Sequence, residues 1–400
     1  MNAPINKHFH RLCWIGGLAI FSTTLSKSPT LPLYAHHLGL DAVAIGFVAA
    51  ASTIVGVLTS LPAGALSDRF GRLKLVRCAL FIVATAPFLY FAVDDVASFI
   101  VVRIYHGLAT AIYGPVVLAL VADWYRDKRG EKMGMVSAAS QAGRALAPIV
   151  GGWVIASIAL AEQAFTSVYL ICGLAGVSAF ALGLRLPQTA PSSDKSNVTS
   201  FDFFTSLKHV LTHRGILLTS AAEATQVLAY GALEVFLPLL AIERGMNAFE
   251  AGVMLGAQVV TVTFAKPLMG RMSDRFGRKP QIIAGLAISA VALLIYSRLD
   301  SFILFVMISI FFGVGMSMVR AATPALVADF AKEKSHGTAL GAMNTIMDVG
   351  HTAGPILAGV LISWQDYSVS FAVIAGILLL MAVVFFFGAS TKPTLSNRNS

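Results

Sequence analysis

Charge is scarce in this 400-residue chain: 12% of its residues are Asp, Glu, Lys or Arg, against 56% hydrophobic ones, and the mean hydropathy is +0.77. Water-soluble domains carry about 25% charged residues, so a globular domain in water is excluded. Cysteine is scarcer still. Cys13, Cys78 and Cys172 lie in apolar segments without paired spacing, which leaves neither a disulfide framework nor a thiolate metal site. No GxxxxGK[ST] phosphate loop occurs, so ATP cannot act through a site in this chain. No nucleophile–base set and no cluster of metal ligands stands out, so the chain is not expected to be an enzyme or to need a cofactor or metal. The start of the chain also lacks a short apolar region leading to a small-residue cleavage site, so its first apolar run is expected to stay as a span.

What the chain has is apolar runs, at about 12–34, 43–66, 75–93, 97–123, 133–158, 164–186, 214–240, 249–270, 280–298, 301–325, 337–363 and 367–388. Each is close to the ~20 residues that cross a bilayer as a helix. The expected fold is an all-α membrane protein of twelve transmembrane helices. An even number of crossings puts both termini on one side. Of the 29 Lys and Arg, 22 fall in connections on that side, two (Arg244 and Arg298) on the other, and five (Lys27, Arg103, Arg144, Lys266 and Arg320) within spans. The positive-inside rule then makes both termini cytoplasmic, in a multi-pass protein of the cytoplasmic (inner) membrane. The net charge of +9 reports this topology, and no nucleic-acid partner is expected.

The two halves repeat. GALSDRFGRLK at 64–74 recurs as GRMSDRFGRKP at 270–280, an offset of 206 that also relates Pro32 to Pro238, Gly39 to Gly245, Gly46 to Gly252, Gly107 to Gly313 and Asp123 to Asp329. After one inserted residue the offset becomes 207, matching Pro148 with Pro355 and Gly152 with Gly359. Two six-helix bundles, 1–186 and 214–390, are expected to be related by pseudo-symmetry. A polar cytoplasmic linker at 187–213 joins them, and a cytoplasmic tail follows at 391–400. A substrate would bind between the bundles near the midplane.

These features resemble the major facilitator superfamily over essentially the whole chain. Gly64, Asp68, Arg69, Gly71, Arg72 and Lys74 match that family's loop 2–3 signature, and Gly270, Asp274, Arg275, Gly277, Arg278 and Lys279 give a second copy. The resemblance implies a conformational latch, in which a loop Arg pairs with the acid at the end of span four or ten, here Asp123 or Asp329. The alternative is that these charges only enforce topology. Span five reads GRALAPIVGG, and its Gly143, Pro148, Gly151 and Gly152 are similar to the family's antiporter motif, which implies efflux and close approach of spans five and eight. Ala147 stands where Gly is usual, Arg144 puts a cation inside the motif, and ordinary small-residue packing is the alternative. Arg103 and Gly107 are similar to the family's span-four RxxxG, whose Arg is thought to assist proton coupling. Proton-coupled, monomeric alternating access by antiport is implied. Symport of an organic anion, or a transport-inactive sensor, stays open.

Ionisable groups within spans mark pathways or partners. Thr23, Lys27, Thr30 and Tyr34 are spaced as one stripe of span one, and Arg103, His106, Thr110 and Tyr113 as one of span four. Glu223, Gln226, Tyr230 and Glu234 share a face of span seven, and Asn344, Asp348 and His351 one of span eleven. The 207 offset matches Gln141 with Asp348 and Arg144 with His351. Glu223, Asp348, Arg103 and His351 are the proton-coupling candidates. The cleft candidates are Lys27, Thr23, Tyr34, His106, Tyr113, Gln141, Arg144, Gln226, Tyr230, Glu234 and Asn344. Glu223 and Asp348 could instead pair with Arg144, Lys27 or Arg103; Lys266 and Arg320 are expected to snorkel toward helix ends. Three cations deep in the first half against three acids in the second suit an amphiphilic, zwitterionic or anionic small molecule.

Overall fold

The computed structural model describes residues 3–125, 128–187, 212–331 and 336–389, and the side chains of all these except 3–7, 60–66, 68 and 69. Most of the expected linker and all of the tail lie outside the described residues. Span one comes as two helices, Ala3–Leu25 and Thr30–His37. Spans two to six are Ala42–Phe70, Arg72–Leu89, Val96–Trp124, Arg129–Ser157 and Ala161–Leu184. Spans seven to twelve are Arg214–Glu243, Ala248–Phe276, Arg278–Tyr296, Phe302–Phe330, His336–Trp364 and Tyr367–Gly388. Among the described residues there is no strand, and ten helices are long and apolar enough to cross a membrane. The two spans outside that ten have evident causes. Span one is divided, and span five is diluted by Arg129, Glu131, Lys132, Arg144 and its glycines. The chain is a multi-pass membrane protein with twelve spans.

The helix ends follow from local chemistry, and the repeat is visible in them. Asp41 accepts the Ala44 N–H at 2.7 Å at the start of span two. At its counterpart 206 residues on, Asn247 accepts the Glu250 N–H at 3.0 Å, while Glu250 accepts the Asn247 N–H at 2.8 Å. Span four begins with Asp95, whose carboxyl the Ser98 hydroxyl and backbone N–H hold below the ordinary carboxylate range. Between spans two and three Gly71 has φ 93°, and between spans eight and nine Gly277 has φ 94°. Both turns need this left-handed backbone, which glycine adopts without a Cβ penalty.

By internal contacts the chain forms two compact units, Met1–Lys195 with Glu234–Val259, and Ser196–Leu233 with Val260–Ser400. The segment Glu234–Val259, which the sequence places in the second bundle, thus belongs to the first unit. In that unit Phe9, Leu12 and Ile15 of span one are fully buried against Leu73, Val76 and Leu80 of span three and Val116, Val117 and Leu120 of span four. In the second unit Gln281 of span nine donates to the carbonyls of Met269 at 2.9 Å and Met318 at 3.0 Å. Large apolar side chains face outward in both, among them Trp14 at 68% exposure, Trp153 at 58% and Trp364 at 78%. Water would not tolerate such a surface; hydrocarbon covers it.

Candidate functional site

On the side of the termini, the two loop signatures close the same ion pair twice. Arg72 sits 3.0 Å from Asp123 and also donates to the Ala119 carbonyl. Arg278 pairs with Asp329, and Asp274 is 3.9 Å from Arg278. Lys279 donates to the Ala389 carbonyl at 2.6 Å, and Arg275 lies over the Phe276 ring. Each pair ties the start of one span to the end of the next. All four carboxylate and guanidinium partners are partly exposed, which limits each pair to at most about 1 kcal/mol. A Cβ on Gly270 would meet nothing within 4 Å, and Gly64, Asp68 and Arg69 lie outside the described side chains.

Span one is not the single stripe that its spacing suggests. Between Leu25 and Thr30 the helix breaks, since Pro29 has no N–H to offer. The carbonyl of Thr24 there accepts from both Lys27 and Ser28, at 3.0 and 2.8 Å. Thr30 turns its hydroxyl to the Leu25 carbonyl at 2.6 Å, Thr23 bonds the Ile20 carbonyl at 3.2 Å, and Tyr34 donates to Val93 at 3.3 Å. Lys27 alone reaches a distant acid. Its Nζ lies 2.7 Å from Oε2 of Glu234, near the end of span seven opposite the termini. Discontinuous spans expose backbone polar groups only where protein or a water-lined cavity can meet them, which is why such breaks recur at transport sites.

Span four places Arg103 and His106 in a buried aromatic nest. Arg103, 3% exposed, donates to the Val48 and Ala49 carbonyls and to the Ser52 hydroxyl of span two. One turn on, a Cβ at Gly107 would stand 2.7 Å from the Ser52 carbonyl oxygen. Arg103 and Gly107 together therefore fasten span four to span two. Tyr90 lies 3.4 Å from His106 Nδ1 and stacks on Tyr169 at 4.4 Å and 10°. Tyr113 is buried in the core formed by spans one, three and four. Tyr90, Tyr169 and Ser52 were not singled out in the sequence; the signal was the pair of buried polar groups one turn apart, which needed partners.

In the second half Glu223, 2% exposed, lies 3.3 Å from the Arg320 guanidinium and accepts from Thr323 at 2.5 Å. Arg320, expected to snorkel, is thus a partner in an ion pair, and the sequence offered Glu223 other cations. Gln226 is fully buried, and among the described residues neither its amide oxygen nor its nitrogen has a partner. Such a group costs about 1–3 kcal/mol. The Tyr230 and His351 rings lie 6.0 Å apart. Asn344 is exposed, whereas Gln141, Asp348 and His351 are half-buried.

Span five lies against both span one and span eight. A Cβ at Gly143 would stand 2.2 Å from the Gly17 carbonyl oxygen, and one at Gly152 would stand 2.2 Å from that of Ala248. From the other side, a Cβ at Gly252 would stand 2.2 Å from the carbonyl oxygen of Pro148. Gly151 faces Leu25 and Thr30 at the break in span one. Small residues are what allow such backbone approach between membrane helices. Arg144, in the middle of this helix, is exposed and has no hydrogen bond or ion pair among the described residues.

The family description Major Facilitator Superfamily matches residues 12–262 and 219–400. Among relatives, an uncharacterized MFS-type transporter of Methanocaldococcus jannaschii is 23% identical over 92% of this chain and 96% of its own. Multidrug resistance protein 2 of Bacillus subtilis is 25% identical over 88% of this chain and 89% of its own. Multidrug resistance protein MdtG of Klebsiella pneumoniae is 24% identical over 96% and 94%. Among solved structures, a mutant of the nucleoside transporter NupG superposes with a TM-score of 0.82 at 14% identity, covering 96% of this chain and 100% of that one. An inward-facing bacterial homologue of the human lysosomal transporter Spinster gives 0.78 at 14%, covering 97% and 96%. These structures share the fold. With the family match spanning nearly the whole sequence and both loop signatures in place, the chain belongs to the major facilitator superfamily.

Proposed function

We propose that the protein is a proton-coupled secondary transporter that exports a small amphiphilic or anionic organic solute by antiport. It works as a monomer of two six-helix bundles, 1–186 and 214–390, with both termini in the cytoplasm. The observation that carries this reading is the pair of ion pairs inside the spans, Lys27 with Glu234 and Arg320 with Glu223. Charges there are costly, by ~2.5–3.5 kcal/mol each on insertion scales, and are retained where they serve transport or a proton relay. A carboxylate tied to a cation on another helix holds a conformation, and a proton on that carboxylate releases it. Export rather than uptake is supported by the span-five sequence from Gly143 to Gly152 and by the Bacillus and Klebsiella relatives, both multidrug resistance proteins by name. Drug antiporters of the family often carry an acid in span one, whereas this chain has Lys27, which argues for a solute other than a lipophilic cation.

The reading is tested in proteoliposomes that enclose a pH-sensitive dye, with a panel of cationic, neutral and anionic amphiphiles. An imposed gradient of a transported solute is expected to drive protons the opposite way. Solute flux with no proton movement and no response to a pH gradient overturns it.

A further inference from the structure

Among the described residues the first unit holds three cations within its spans, Lys27, Arg103 and Arg144, and one carboxylate near them, Glu234. Two of the cations are engaged. Lys27 has Glu234, and Arg103 has two carbonyls and a hydroxyl of span two. Arg144 has no partner among the described residues, although it lies at the middle of a 29-residue helix, where an unsatisfied guanidinium is least tolerable.

Its direction shows what it faces. At about 100° per residue, Met135 and Trp153, nine positions to either side, and Leu146, two positions on, all point ~160–180° away from Arg144. Those three are exposed apolar side chains and form the hydrocarbon-facing stripe of span five. The faces that Gly143 and Gly151 present to span one and that Pro148 and Gly152 present to span eight flank Arg144. The guanidinium therefore sits on the side of the helix away from lipid, between two neighbouring spans, with its donors unspent.

We propose that Arg144 is the charge receptor for the transported solute, donating a forked pair of hydrogen bonds to an oxyanion, either a carboxylate or a phosphate monoester. This rests on the transport reading above and narrows its substrate class. The fork suits either anion because guanidinium geometry matches two oxygens at once, and the surrounding positive charge of Lys27 and Arg103 favours an anion over a cation. Lys27 is the counter-ion of Glu234 in this scheme, and Arg103 a clamp between spans.

Binding to the purified full-length protein tests this without relying on flux. The probes are 1-naphthoate, 1-naphthyl phosphate and the neutral 1-naphthamide, with dissociation constants measured by thermal shift and calorimetry at fixed ionic strength. Wild type is expected to bind at least one of the two anions and to bind the amide at least about tenfold more weakly, the scale of a charged hydrogen bond. Arg144→Gln should lose that preference, and Arg144→Lys, which keeps charge without the fork, should retain part of it. The choice between carboxylate and phosphate identifies the source of the oxyanion. Equal binding of acid and amide by wild type, binding of neither anion, or an unchanged preference in both variants overturns the proposal. Since Arg144→Lys keeps the charge, it preserves the test if Arg144→Gln does not fold. Anion binding without proton-linked flux would sink the transport reading and leave this site standing. Proton-linked flux of a solute indifferent to Arg144 would do the reverse.

Discussion

Lys27, in the break of span one, and Glu234, near the end of span seven opposite the termini, form an ion pair of 2.7 Å across 207 positions of sequence. Both side chains are largely shielded, so removing either leaves the other charge without compensation. Glu234→Gln or Lys27→Met alone is expected to cost ~3 kcal/mol of stability, whereas the double replacement should cost clearly less than the sum. Thermal unfolding of the four proteins in detergent checks it. Additive losses would show that the two residues do not depend on each other.

The coupling role assigned to the deep acids is separable from their structural role. Glu223→Gln or Asp348→Asn should abolish proton-driven accumulation while sparing downhill solute exchange. Proteoliposomes with and without an imposed pH gradient measure both. If each variant accumulates solute like wild type, the proton is carried elsewhere.

The loop ion pairs are half-exposed and so contribute little to folding, yet they bridge helix ends. Asp329→Asn, which loses the Arg278 pair, should lower stability by no more than about 1 kcal/mol but slow turnover several-fold. Unfolding midpoints and initial transport rates on one preparation decide it. A large stability loss with normal turnover would contradict the latch.

Neither the oxygen nor the nitrogen of the Gln226 amide meets a partner among the described residues. Gln226→Leu removes a buried unpaired polar group and is expected to raise stability by ~1 kcal/mol or more. Transport should fall if the amide is met by solute or by another state of the protein. A variant that is less stable and fully active would show that the amide is already satisfied.

Hydropathy carried the twelve spans, and the 206-residue repeat carried the matching turns and ion pairs. The φ values of Gly71 and Gly277, 93° and 94°, and the paired Arg72–Asp123 and Arg278–Asp329 contacts show that the matched letters do the same local work. The break in span one was not legible, because an apolar run scores alike whether its helix is continuous or not. Pro29 is the one trace of it in the letters, and the structure shows it in the helix ends and in the two amides that share the Thr24 carbonyl. Partners were harder. Arg103 bonds backbone carbonyls, which leave no trace in the sequence of span two, and Glu223 and Arg320 stand 97 positions apart with no shared motif. Arg144 was visible as a charge in a span, but not its lack of a partner, which depends on how its neighbours are spent.

The placement of the indoles governs how this protein can be watched. Of its four tryptophans, Trp14, Trp153 and Trp364 project into hydrocarbon. Intrinsic emission will therefore report the acyl chains, and brominated lipids should quench most of it. Trp153 lies on the face of span five opposite Arg144, so an optical record of solute arriving there calls for a fluorophore placed on the inner faces of spans one or eight.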